Sequence, residues 1–308
     1  MPAGAGFDLG GTQLKFGLVD ARGRVLFKDK TPTPPSLRDF VRLAGEIWRD
    51  LKQRAPEPLL AAGFGIPGIF DLRSRKILQS PNYPELDSFD LEPALDGVID
   101  APVSIGNDAN MAAYGEYAFG AGRGVSSLVL LTIGTGIGGG IILDGKLWQG
   151  GCGYAGEVGH IIVNPEGQMC NCGLQGCLEA EAAAPAIVRH YGRTAGNRTA
   201  ATAEEIYRLA KDGDPAAHEA FARAGRYLGI GLGILINLLN PEKILLGGGV
   251  MTTGELLLEP AVAEARKRSY RASFACCAIE KAVLGNDAGM IGAASWAVRF
   301  RGDSRTRD

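Results

Sequence analysis

His160, Cys170, Cys172 and Cys177 carry the strongest chemical signal in the sequence. Three thiolates and one imidazole form a complete donor set for tetrahedral zinc, and Gly173 and Gly176 let so short a loop turn back on itself. Four protein donors leave no coordination position open, so the expected role is structural. The alternative is a loop of free or buried thiols. Cys152, Cys276 and Cys277 fall outside this spacing and are expected to be packing or surface thiols. Six cysteines in 308 residues do not make a disulfide scaffold.

Two glycine turns form the second group. Asp8-Leu9-Gly10-Gly11-Thr12 and Gly134-Thr135-Gly136-Ile137-Gly138-Gly139-Gly140 each follow an apolar strand and lead into another strand. Main-chain N–H groups in such turns can converge on phosphate oxygens with no side chain in the way. Neither is a Walker loop, and neither opens a helix as a dinucleotide fingerprint must. Glycines that serve only tight hairpins are the plain alternative. The side chains of Asp8 and Thr12 in one turn, and of Thr132 and Thr135 in the other, favour a nucleotide.

Asp108 is the third candidate, at a strand-to-helix junction in Gly106-Asn107-Asp108-Ala109-Asn110-Met111. Phosphoryl transfer to a hydroxyl gains from a base on the acceptor oxygen. The sequence has only three histidines. His160 belongs to the zinc set, and His190 and His218 are expected on surface helices, which leaves a carboxylate. From its position alone, Asp108 could equally be a helix N-cap.

The elements that must hold these groups are read from periodicity. Phe7–Asp20 reads as strand, glycine turn, strand, followed by a third strand, Val25–Phe27, and a proline-rich connection, Thr31–Pro35. Ser36 and Asp39 can cap a helix whose apolar residues Leu37, Phe40, Val41, Ala44, Ile47, Trp48 and Leu51 share one face. Strands follow at Leu59–Phe64 and Val103–Ile105, then a helix to about Phe119. The pattern restarts with strands Ser127–Ile133, Ile141–Leu143 and Lys243–Leu246, and a last helix opening at Gly285-Asn286-Asp287-Ala288-Gly289-Met290. Both glycine hairpins precede their own GND segment, which indicates a diverged duplication with an insertion around residues 146–215.

Composition sets the outer limits. The 308 residues exceed what one core usually serves, so two lobes are expected. Hydrophobic residues are 46% and charged residues 21%, which is globular composition and excludes extended disorder. A net charge of −2 gives no reason to expect nucleic-acid or membrane partners. Neither a spanning apolar run nor a signal-peptide pattern occurs, so a cytoplasmic protein is expected.

The segments DLGGT at 8–12, GNDAN at 106–110, TIGTGIGGG at 132–140, GEVGH at 156–160 and CNCGLQGCLEA at 170–180 resemble the ROK family (repressor, open reading frame, kinase). That family lies within the actin/hexokinase-like ATPase superfamily, and the similarity runs from Gly6 to about Ala294. It implies an α/β, duplicated actin/hexokinase-like (ribonuclease H-like) ATPase fold of two lobes with a cleft. Residues 1–118 would form the N-terminal, sugar-side lobe, completed by a C-terminal helix at 289–303. Residues 119–288 would form the nucleotide-side lobe with the zinc-loop insertion. The implied activity is ATP-dependent phosphorylation of a hexose primary hydroxyl, glucose to glucose 6-phosphate first, with Mg²⁺ and structural Zn²⁺. Asp108 aligns with the family's general base. Asn82, Asn107, Asp108, Glu157, His160 and Glu179 align with its sugar contacts.

For ATP, the resemblance implies Asp8 near Mg²⁺ through water, Gly10, Gly11, Thr12, Gln13, Thr135 and Gly136 at the phosphates, and Gly248 and Gly249 beside adenosine. Many relatives carry Lys where this chain has Gln13; Lys15, on the same strand face, is the candidate replacement. Tyr83-Pro84-Glu85 departs from the glucokinase-like PNLPGW, which keeps N-acetylmannosamine, another N-acetylhexosamine, allose and fructose as alternative acceptors. A sugar-sensing regulator and an acetate-type kinase are the rival classes; Asp108 with both hairpins, and the zinc motif with GEVGH, speak against them. The first hairpin begins at residue 7, so no winged-helix DNA-binding segment is expected before it. Homodimers are common among similar kinases.

Overall fold

The computed structural model describes residues 3–71, 73–74, 76–79, 89–196 and 199–300. The first half opens with three strands, β1 (Ala3–Leu9), β2 (Gln13–Asp20) and β3 (Val25–Pro32), folded as an antiparallel meander. The first helix, α1 (Leu37–Arg54), starts as the spacing predicts: Ser36 Oγ accepts the Asp39 N–H at 3.2 Å and donates to the Asp39 carboxylate at 2.7 Å. Its buried face is Leu37, Phe40, Ala44, Ile47, Trp48 and Leu51. Strand β4 (Leu59–Ile66), a small hairpin of β5 (Ile69–Asp71) and β6 (Lys76–Gln79), helix α2 (Leu91–Asp96), strand β7 (Val103–Asn107) and helix α3 (Asp108–Phe119) complete this half. β4 and β7 join β1 in parallel, giving the order β3-β2-β1-β4-β7.

The second half repeats this plan. Strands β8 (Leu128–Ile133), β9 (Ile137–Leu143) and β10 (Lys146–Leu147) again form an antiparallel meander. Helices α4 (Leu178–Ala182), α5 (Ala184–Thr194), α6 (Ala203–Lys211) and α7 (Pro215–Leu239) precede β11 (Lys243–Gly247). Helices α8 (Glu255–Arg268) and α9 (Arg271–Ala275), strand β12 (Ala278–Lys281) and helix α10 (Ala288–Phe300) end the described chain. The sheet order β10-β9-β8-β11-β12 matches the first sheet strand for strand, as the duplicated motifs predict.

Each sheet has its own core. Phe7 and Phe64 stack at 4.4 Å in the first, while Leu131, Ile187, Phe221 and Leu246 sit in the second. The two GND helices bind the halves together. α10 lies on β1 and β4 of the first sheet; α3 lies on β8 and β9 of the second and packs along α10. That crossing is close enough that a Cβ on Gly292 would stand 1.8 Å from the Met111 carbonyl oxygen.

Glu116 of α3 is fully buried at this junction. One carboxylate oxygen accepts the Leu284 N–H at 2.7 Å and the other accepts the Ala121 N–H at 3.0 Å. A single side chain thus ties both chain crossings between the halves.

α10, expected over 289–303, spans Ala288–Phe300 among the described residues, and 301–303 lie outside them. Two expectations change. β3 continues to Pro32, into the segment read as connection, because its backbone pairs with β2 as far as Gln13. β9 begins at Ile137 rather than Ile141, so Gly138–Gly140 belong to the strand and not to the turn. The physical reason is the approach of α3: a Cβ on Gly140 would lie 2.5 Å from that of Ala113. Gly138 and Gly140 admit that helix, Gly139 packs against Val158 on the other face, and the phosphate-turn candidate shrinks to Gly134–Gly136. Among the described residues, no helix is long and apolar enough to cross a membrane.

Candidate active site

Asp108 emerges from β7 at the first turn of α3, but it does not cap the helix. Asn107 does: its Oδ1 accepts the Asn110 N–H at 3.0 Å while its Nδ2 donates to the Gly68 carbonyl at 3.1 Å. An amide at that position satisfies the orphan N–H of the first turn, so the neighbouring carboxylate is spared. Asn107 keeps one amide hydrogen for a ligand. Asp108 Oδ1 accepts the adjacent Ala109 N–H at 2.9 Å. Burial, then the nearby Asp8 carboxylate and Glu157, push the Asp108 carboxyl up to about 6.

Asp8 closes β1 and Lys15 lies opposite it on β2, 3.3 Å from its carboxylate. Burial raises the Asp8 pKa, and the Lys15 ammonium partly opposes that rise. Asp8, Lys15, Asp108, Thr132, Gly247 and Gly248 line one cavity of about 170 Å³ between the two sheets. A larger cavity, about 740 Å³, is bordered by Tyr114, Tyr117, Arg123 and Arg299 and contains none of these groups.

The glycine turns flank this cleft. In the first, Gly10 N–H donates to the Gln13 carbonyl at 2.9 Å and Thr33 Oγ1 donates to the Gly10 carbonyl at 2.6 Å, leaving Gly11 and Thr12 as the exposed tip. In the second, Gly134 N–H donates to the Gly136 carbonyl at 2.9 Å with Thr135 exposed. Gly248 and Gly249 follow β11 on the surface; Gly248 has φ +88° and packs against Ile133 at the end of β8.

His160, Cys170, Cys172 and Cys177 converge, with their donor atoms all within 4.8 Å of one another. His160 Nδ1 is 3.8 Å from Cys170 Sγ, and the Cys172 and Cys177 sulfurs are 3.6 Å apart. Tetrahedral zinc with bonds of about 2.3 Å to sulfur and about 2.0 Å to nitrogen requires ligand separations of roughly 3.5–3.8 Å, which these two pairs match, and the whole set is compatible with it after a small contraction. Burial and the two neighbouring thiols push the Cys177 thiol up to about 12, a resistance that coordination to a cation reverses. His160 turns its other nitrogen outward: Nε2 lies 3.9 Å from Glu157 Oε2. Desolvation raises the Glu157 pKa, with the imidazole partly offsetting it.

Glu179 leaves α4 toward the second glycine turn. Its Oε2 accepts the Ile137 N–H at 2.9 Å, and its Oε1 is 3.6 Å from Cys170 Sγ. Asn82 lies outside the described residues. The structure therefore gathers Asp8, Lys15 and Asp108 in one cavity, and Glu157, His160 and Glu179 around the cysteine cluster.

His190 corrects an expectation. It is buried rather than on a surface helix, with Nε2 3.0 Å from the Glu181 carbonyl oxygen, and burial holds its pKa below the usual value. Glu181 itself was not singled out by the sequence. It is 3% exposed and accepts the Gln168 N–H at 2.8 Å and the Asn164 amide at 3.2 Å, which fastens the cysteine loop to α4. Its available signal is the Glu-Ala-Glu spacing, which sends two carboxylates to different sides of a short helix.

A family model described as "ROK family" matches residues 4–299. A glucokinase of Streptomyces coelicolor is 34% identical over 309 residues, covering 95% of this chain and 96% of its own length. An N-acetylmannosamine kinase of Haemophilus influenzae is 30% identical over 292 residues, covering 94% and 93%. The crystal structure of a ROK family glucokinase from Streptomyces griseus, in complex with glucose and AMPPNP, superposes with a TM-score of 0.83 at 35% identity, covering 96% of this chain and 99% of that one.

Proposed function

The chain belongs to the ROK family, and from that premise we propose that it transfers the γ-phosphoryl group of ATP to the primary hydroxyl of a hexose, glucose first, with Asp108 as general base. It is a sugar kinase with the actin/hexokinase-like fold. The observation that carries the base assignment is the release of Asp108 from capping by Asn107, in a cleft that raises its pKa to about 6. A carboxylate poised there accepts a proton from a bound hydroxyl far better than one at the ordinary 3.8.

Each group then has a task. The hexose binds between Asp108 and the Glu157–His160–Glu179 set, where several hydroxyl contacts discriminate against analogues that lack them. Asn107 orients the acceptor hydroxyl with its remaining amide hydrogen. Asp108 takes the hydroxyl proton as the oxygen approaches phosphorus. The Gly10–Gln13 and Gly134–Gly136 turns present main-chain N–H groups to phosphate oxygens, and Lys15 adds a cation beside Asp8. Gly248 and Gly249 border the adenosine. Asp8 would hold Mg²⁺ through water, and the ion would supply charge neutralisation for the phosphates. The His160–Cys170–Cys172–Cys177 set would hold Zn²⁺ in a structural role, fixing the orientation of the His160 imidazole, whose Nε2 lies 3.9 Å from Glu157 Oε2.

The second acceptor to consider is N-acetylmannosamine, supported by the 30% identical kinase of that sugar; Tyr83-Pro84-Glu85 departs from the glucokinase-like pattern without ranking the alternatives. ADP release with MgATP across hexoses and N-acetylhexosamines, with Asp108→Ala beside the wild type, tests the reading. Release with one sugar and its loss in the variant are expected. No release with any sugar that binds would overturn it in favour of a sugar sensor.

A further inference from the structure

The second glycine turn is not held by its own hairpin alone. Both of its ends are bonded to the segment that follows Cys177. The Ala184 N–H donates to the Gly134 carbonyl at 2.9 Å, and Glu179 Oε2 accepts the Ile137 N–H at 2.9 Å. In a trans peptide the N–H and C=O point in opposite directions. Fixing the Gly134 carbonyl on α5 therefore aims the Thr135 N–H away from α5, toward the exposed side of the turn. The peptide between Gly136 and Ile137 is held at both poles, by Glu179 on its N–H and by the Gly134 N–H on its carbonyl. A Cβ on Gly136 would stand 2.4 Å from Glu179 Oε2, so glycine there is what admits the carboxylate.

The same five-residue helix is anchored to the cysteine cluster. The Leu178 N–H donates to the Ile161 carbonyl at 2.8 Å, one residue past His160. Glu181 accepts the Gln168 N–H at 2.8 Å, two residues before Cys170. We infer that Glu179 is a positioning residue for the nucleotide's phosphate turn, and that α4 transmits the rigidity of the metal cluster to that turn. This role is separate from any sugar contact Glu179 makes. It rests on the assignment of Gly134–Gly136 to ATP made above.

Charge gives the role a distinguishing sign. A carboxylate beside a phosphate site repels the ligand, so removing it would tighten nucleotide binding if electrostatics were its only effect. Loss of positioning does the opposite. The test is calorimetric titration with MgAMPPNP, without sugar, on wild type, Glu179→Ala and Glu179→Gln. Glu179→Ala is expected to bind about tenfold more weakly, while Glu179→Gln, which keeps an acceptor oxygen, stays within about twofold of wild type. Hydrogen exchange provides the second readout: slow exchange of the Ile137 amide is lost in Glu179→Ala and kept in Glu179→Gln. Chelation of the metal from folded wild type is expected to weaken nucleotide binding in the same direction. Equal or tighter binding by Glu179→Ala overturns the inference, and unchanged affinity after chelation overturns the cluster's part in it. If wild type itself binds no MgAMPPNP, the assignment of the turn to ATP fails instead.

Discussion

Replacing Asp108 by Asn is expected to stabilise the unliganded protein while removing its chemistry. The carboxyl titrates at about 6 in the folded protein against 3.8 when freely hydrated, because burial and the Asp8 charge disfavour its ionised form. Folding therefore takes up a proton between those two values. Below the lower value both states are protonated and the residue is neutral toward stability. As pH rises, the unfolded chain ionises first, and the fold loses stability until Asp108 has also ionised. The loss amounts to about 3 kcal/mol above pH 7, and to roughly half of that at pH 5. Asparagine has no charge to bury, and its Oδ1 can still accept the Ala109 N–H that Asp108 accepts at 2.9 Å. Urea unfolding of wild type and Asp108→Asn, without ligands, at pH 5 and pH 7.5 reads the effect. The variant should be the more stable at both, by about twice as much at the higher pH. A variant no more stable than wild type at pH 7.5, or a difference independent of pH, would refute the burial of an ionised base. Turnover at near wild-type level in the same variant would refute its catalytic role.

Four further outcomes follow from the same geometry. The kcat/KM for sugar should fall about tenfold per pH unit below about pH 6, as Asp108 takes up its proton; a profile flat to pH 5 would exclude it as the base. Lys15→Met removes the cation 3.3 Å from Asp8 and should raise the ATP KM by about tenfold or more, and an unchanged KM and turnover would show that Lys15 does not replace the missing lysine at Gln13. Glu116→Ala strands two buried N–H groups at the crossings between the halves and should cost roughly 2–5 kcal/mol in denaturant unfolding; a loss under about 1 kcal/mol would mean water replaces the carboxylate. Metal removal should weaken sugar binding and local stability, because the imidazole of His160 loses its fixed orientation; full sugar affinity in folded, metal-free protein would contradict that.

Much of the architecture was legible from order and spacing. Two strand–glycine–strand hairpins, each followed by a GND segment, already implied a duplicated sheet, since strand period and glycine turns are local properties of the chain. The Ser36 cap and the buried face of α1 are local in the same sense, set by residues within one turn of each other. The cysteine spacing likewise brought three of the four metal donors within one loop.

What the sequence could not decide were contacts between segments distant along the chain. Gly138–Gly140 read as turn residues, and only the packing of α3 onto β9 shows that they belong to a strand with a helix pressed on it. Whether Asp108 or Asn107 caps α3 is a competition between adjacent side chains, decided by backbone geometry and by the Gly68 carbonyl that holds the asparagine amide. His190 has no local mark of burial; the Glu181 carbonyl and the helices packed over it put it inside. The elevated pKa of Asp108 depends first on its burial between the halves, and then on Asp8, a hundred residues earlier, being brought to the same cavity. Residue types and spacing determine which chemistry this chain can perform. Desolvation and long-range hydrogen bonds exist only once the two halves close on each other, and they decide which residue performs it.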